Sequence, residues 1–128
     1  MAVRWSVTID CAAPAVVAGF WATALGYESR EPLDTDDDGA FLHDPDGALP
    51  SLSFLRVPEG KVGKNRLHLD IQAGGGRAVP WEERWPRAVA AAERLVRAGA
   101  TVVTVCEWEG RPDHYLMADP EGNEFCVL

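Results

Sequence analysis

The chain has 128 residues, 47% of them hydrophobic, and a formal charge of -8 with a pI near 4.7. That length and apolar content suit one compact domain with a real core. The acidic balance, with no basic stripe in either half, repels polyanions and excludes nucleic acid and anionic membranes as partners.

Cys11, Cys106 and Cys126 form an odd set without CxxC spacing. Reduced thiols fit this pattern better than a disulfide framework or a zinc ribbon. The opening stretch shows no charged leader before an apolar run, and no segment approaches the ~18 apolar residues of a membrane span. A soluble, cytoplasmic protein is expected.

Residues 3–11 alternate Val3, Trp5, Val7 and Ile9 with Arg4, Ser6, Thr8 and Asp10. The period of two predicts a strand with one polar face and one core face, the latter holding Trp5. Pro14 then occupies a helix's first position, Val16, Val17, Phe20, Trp21, Ala24 and Leu25 make an apolar stripe, and Gly26 closes it. Short strands are predicted over 27–33 and 40–43. The acidic run 34–39 between them is a solvated loop, since its adjacent carboxylates lack the spaced oxygens and distal Glu of a calcium loop. Asp44-Pro45-Asp46-Gly47 reads as a type I turn leading into a strand around 51–57.

A polar connector, 58–65, rich in glycine and lysine, follows, and the pattern restarts. Residues 66–73 set Leu67, Leu69 and Ile71 against Arg66, His68, Asp70 and Gln72. Gly74-Gly75-Gly76 does not open a helix as a phosphate loop must. Trp85, Ala88, Val89, Ala92, Leu95 and Val96 mark a second helix, with Pro86 near its start and Gly99 just past its end. Strands are predicted over 101–108, 114–118 and 123–128. Asp119-Pro120-Glu121-Gly122 repeats the first turn, and Arg97-Ala98-Gly99 repeats Ala24-Leu25-Gly26 at nearly the same separation. The expected fold is α+β within a single domain, 1–128. Two βαβββ modules, 1–57 and 66–128, would form a curved eight-stranded mixed sheet with helices on its outer face.

The polar faces of the two equivalent first strands carry Ser6, Thr8 and Asp10, and His68, Asp70 and Gln72. An imidazole with carboxylates to orient it or hold its charge suits general acid/base work, here proton transfer at a carbon next to a carbonyl. His68, Asp70 and Asp10 are the catalytic candidates on that reading. A hydrogen-bonded structural histidine has the same sequence pattern. Cys126 reads either as a small buried hydrophobe or as a reactive thiol. Trp81, Trp85 and Trp108 stand for core, interface or pocket rim. His114 and Tyr115 receive no role.

The motifs FWATALGY, LHDPDG, RLHLDI and ADPEGNEFCVL, in this order, resemble the vicinal oxygen chelate superfamily, also called the glyoxalase/bleomycin resistance/dioxygenase superfamily. The likeness is greatest to its small glyoxalase-like bacterial members and spans nearly the whole chain. It implies paired modules around a small-molecule site, usually in a homodimer. In metal-dependent members four positions supply ligands, and these fall here on Ser6, at or beside Ser51, on His68 and on Cys126. Only His68 keeps a residue type used there. A serine hydroxyl is a weak ligand, and His68 with Cys126 gives two good donors where zinc takes at least three. No metal cofactor is therefore expected, the alternative being a divalent cation held by His68 with Cys126 or with Glu124 on the same strand face. Ser6, Thr8, Ser51, Gln72, Cys126 and Trp108 are the ligand-binding candidates. The resemblance implies a glyoxalase-like lyase or isomerase, or alternatively a non-catalytic ligand-binding or drug-sequestering protein of the bleomycin resistance type.

Overall fold

Each of the two alternating runs contributes the first strand of a sheet, and the two sheets are wired alike. The computed structural model describes residues 1–128, which divide into two compact units, Met1–Lys61 and Val62–Leu128. The first unit contains β1 (Val7–Cys11), α1 (Pro14–Leu25), β2 (Gly39–Leu42) and β3 (Leu52–Arg56). The second contains β4 (Asp70–Ile71), α2 (Trp81–Arg97), β5 (Thr101–Trp108), β6 (Arg111–Ala118) and β7 (Glu124–Val127). The strand orders are β1-β3-β2 and β4-β7-β6-β5. In each unit the first strand runs parallel to the last, and the last pairs antiparallel with the strand before it. The chain thus has an α+β fold of two helices and seven strands in two mixed sheets.

Helix α1 begins at Pro14, whose missing N–H costs nothing there, and ends at Gly26, whose left-handed φ of 71° lets its N–H reach the Ala22 carbonyl. Its Val17, Ala18, Phe20 and Trp21 are buried, as are Leu42, Leu52 and Phe54 on the strands it packs against. Each large apolar side chain removed from water in this way contributes about 1.5–3 kcal/mol. Because neighbours along a strand point to opposite faces, that burial leaves Thr8, Asp10, Phe41, Ser53 and Leu55 on the side away from α1.

Helix α2 carries Glu82 and Glu83 in its first turn and Arg94 and Arg97 in its last, matching the helix dipole at both ends. Ala88, Ala91, Ala92 and Leu95 are its buried face. The repeated turns close identically. The Gly47 N–H donates to the Asp44 carbonyl and the Gly122 N–H to the Asp119 carbonyl, both at 2.9 Å, while each aspartate side chain accepts further backbone N–H groups of its own turn.

Five expectations change. The first strand starts at Val7 rather than residue 3, so Trp5 precedes the ladder and is 67% exposed instead of lying in the core. The strand over 27–33 contracts to a single bridge between Glu28 and His43, because Pro32 lacks a ladder donor and residues 30–38 are all exposed. The strand over 66–73 contracts to Asp70–Ile71, with Leu67 in solvent. Eight strands in one curved sheet are therefore replaced by seven, in sheets of three and four. Finally, α2 begins at Trp81, which puts Pro86 inside the helix, where it removes one intrahelical donor. No helix is long and apolar enough to cross a membrane.

Candidate functional site

The parallel pairing of β4 with β7 sets Asp70 directly beside Cys126, and the Cys126 N–H donates to the Leu69 carbonyl at 2.9 Å. His68, just ahead of β4, brings Nε2 to 3.2 Å from Asp70 Oδ1. One donor atom from each of His68, Asp70 and Cys126 falls within 4.8 Å of the other two. His68 and Asp70 are about half exposed, whereas Cys126 is buried. An accessible imidazole–carboxylate pair thus stands over a covered thiol.

Burial first, then the negative charge of Asp70, the neighbouring Cys106 thiol and the Asp70 hydrogen bond push the Cys126 thiol up to about 11, against an opposing pull from Lys64. The thiol is neutral near neutrality and is no free nucleophile. Glu124 does not join the cluster as the sequence allowed: its carboxylate takes the Lys64 ammonium at 2.7 Å. Asp70 supplies the third strong donor instead.

Nitrogen, carboxylate oxygen and sulfur make a set of three protein donors, the number found at catalytic zinc centres. The exposed sides of His68 and Asp70 leave room for further ligands. The residues therefore fit a borderline-soft divalent cation, provided that Cys126 gives up its proton on binding.

The remaining sequence candidates each have a place within their own unit. Thr8 and Asp10 on β1 are exposed on the open side of the first sheet, with Ser6 just before them. Ser51 is tied to this edge by the Val7 N–H, which donates to its carbonyl at 3.1 Å. Ser51 also lines a cleft of about 530 Å³ within the first unit, beside Phe41, Leu33 and His43. Gln72 is exposed just after β4. Trp108, at the end of β5, lies under the Arg77 guanidinium, 4.2 Å from its ring centre.

A second cluster was not visible in the sequence. Asp113 is 1% exposed and accepts from Arg77 Nη2 at 2.6 Å and Arg84 Nη2 at 2.9 Å, with His114 Nδ1 2.8 Å away. Burial alone raises its carboxyl, but the hydrogen bonds from Arg77, His114 and Arg84 outweigh this and hold it far below the usual carboxylate range. The signal in the sequence was only a charged residue inside an apolar strand, Pro112-Asp113-His114-Tyr115-Leu116, at a place where the alternation breaks.

Residues 6–128 match the model of the glyoxalase-like domain, and the chain belongs to that family. Among solved structures it is similar to a glyoxalase/bleomycin resistance protein/dioxygenase family enzyme from Burkholderia phytofirmans PsJN, at 15% identity and a TM-score of 0.67 over 98% of this chain and 97% of that one. A possible glyoxalase from Bacillus cereus is 16% identical, with a TM-score of 0.65 over 99% of both chains. A mutant of the fosfomycin resistance protein FosX from Listeria monocytogenes, complexed with Mn(II) and 1S,2S-dihydroxypropylphosphonic acid, gives 12% identity and a TM-score of 0.68 over 99% and 89%. No curated protein matches the sequence.

Proposed function

We propose that the chain is a glyoxalase-like small-molecule enzyme of lyase or isomerase type, which moves a proton at a carbon next to a carbonyl through His68. The observation behind this reading is the 3.2 Å approach of Asp70 Oδ1 to His68 Nε2 on accessible side chains. With a carboxylate at Nε2, the ring's other nitrogen, Nδ1, takes the substrate proton. The Asp70 charge then stabilises the imidazolium formed. Cys126 keeps its proton throughout and closes the floor behind Asp70. A cytoplasmic homodimer is the setting that goes with this proposal.

The proximity of three donor atoms favours a second reading, in which His68, Asp70 and Cys126 hold a divalent cation. Such a cation would polarise the carbonyl oxygen of a bound substrate as a Lewis acid.

The test is deuterium exchange in D2O, followed by proton NMR over a panel of α-hydroxy and α-keto carbonyl compounds, with and without added zinc. Exchange by the wild type that His68→Gln abolishes, in the absence of metal, supports the first reading. Exchange that requires zinc supports the second. Ligands that bind unchanged, with no exchange anywhere in the panel, overturn both in favour of a drug-sequestering or other binding protein.

A further inference from the structure

The β5–β6 ribbon contains a register step whose chemistry the site above does not use. Cys106 pairs with His114, and the next residue of β5, Glu107, pairs with Pro112, so Asp113 is an extra residue on β6. Such a bulge sets two residues against one and turns adjacent side chains toward each other. It explains how Asp113 Oδ2 and His114 Nδ1, on consecutive residues, come within 2.8 Å.

The bulge also defines the imidazole. Asp113 is ionised between two guanidinium groups and has no proton to offer, so in the neutral ring Nδ1 carries the hydrogen and Nε2 carries the lone pair. His114 is partly exposed, and its one polar contact is the one to Asp113. Directly across the ladder stands Cys106, a free and partly exposed thiol. Cross-strand partners share a face, with Cβ atoms about 5 Å apart, within reach of a thiol–imidazole contact.

We infer that Cys106, His114 and Asp113 form a thiol site for soft carbon electrophiles of the α,β-unsaturated carbonyl class. The Cys106 Sγ proton passes to His114 Nε2 while sulfur bonds to the β-carbon of the acceptor. The C=C electron pair moves to the α-carbon as an enolate, which then takes the proton back from the imidazolium. One S–H and one C=C π bond are exchanged for one C–S and one C–H bond, and no further reactant is required. Asp113 acts as a positioning residue that fixes the ring and its tautomer, and Arg77 and Arg84 keep it ionised.

N-ethylmaleimide is the probe, added in limiting amount to the folded full chain, with labelling at each cysteine followed by peptide mass spectrometry. Cys106 should react first, ahead of the buried Cys11 and Cys126. In His114→Gln its rate should fall on the order of tenfold, below the hundredfold of a fully aligned base because the pair closes only on reaction. Rates at Cys11 and Cys126 should not change. Lost activation slows one cysteine, whereas unfolding would speed all three, so the two effects have opposite signs. If His114→Gln unfolds, carbethoxylation of His114 in the wild type replaces it and should protect Cys106 from the maleimide. A Cys106 that labels no faster than Cys11, or as fast without the His114 imidazole as with it, overturns the inference.

Discussion

Asp70 stands beside Cys126 in the register of β4 with β7, and that one pairing converts a polar residue of a two-residue strand into the link between an imidazole and a thiol. Asp70 touches both neighbours in different ways. It offers its charge to His68 and suppresses ionisation at Cys126. Removing it should therefore move the two in separable ways.

For Cys126, burial is the larger cause of the raised pKa and Asp70 the next. Asp70→Asn should bring the thiol down from about 11 without returning it to its ordinary value, because burial and the neighbouring Cys106 persist. Thiolate absorbance in the ultraviolet during alkaline titration, compared with and without Asp70→Asn in one common Cys106→Ser background so that the contribution of Cys106 is absent from both arms, measures the Asp70 share. An unchanged midpoint would mean that burial alone protects the thiol.

If the three side chains take a cation, each removes a comparable share of its affinity. His68→Ala, Asp70→Ala and Cys126→Ser should each weaken zinc binding by about 10-fold or more, while Glu124→Gln should leave it nearly unchanged, since Glu124 is occupied by Lys64. Titration calorimetry in two buffers of different ionisation enthalpy should also show a proton released, from Cys126. Equal weakening by the Glu124 variant would relocate the donor set.

How far the sequence disclosed this architecture varies with the physics of each segment. Strand β1 and helix α1 were legible because alternation and a capped apolar stripe are local patterns, and the doubled turn carried the repeat. The strand over 27–33 was not, since a ladder requires a partner and only Glu28 found one. His68 and Asp70 could be named from spacing, and the family resemblance already joined His68 to Cys126, but the place of Asp70 beside that thiol depends on a parallel register that no local pattern encodes. Asp113 was passed over for the same reason: a bulge interrupts the alternation by which strand faces are read.

The Asp113 clamp should govern acid stability in the second unit. Its native pKa lies below the unfolded value, so its stabilisation is complete above the ordinary carboxylate range, roughly pH 4, and is lost progressively as pH falls below it. Urea unfolding of the wild type should accordingly weaken below about pH 4. Asp113→Ala should lack that dependence and lose about 3–5 kcal/mol at pH 7, because Arg84, largely covered, is left without its counter-charge. A loss below about 1 kcal/mol would assign the cluster to the solvated surface instead.

Gly74 controls the same clamp through space rather than charge. It is buried, its N–H donates to the Leu128 carbonyl at 2.7 Å, and its own carbonyl accepts from Arg87 Nη1. A Cβ placed there would stand 2.8 Å from both the Cβ and the carbonyl oxygen of Arg84. Those atoms belong to the backbone end of α2 and cannot swing aside as a flexible side-chain tip would. Gly74→Ala must therefore push the first turns of α2 away from the chain after β4, which draws Arg84 off Asp113. An overpacking cost of about 1–3 kcal/mol is expected, and the variant should also lose part of the acid-dependent stability attributed to Asp113. A double-mutant cycle with Asp113→Ala makes the point quantitative. The two losses should be clearly less than additive if Gly74 acts through the Arg84–Asp113 contact, and additive if it disturbs packing alone.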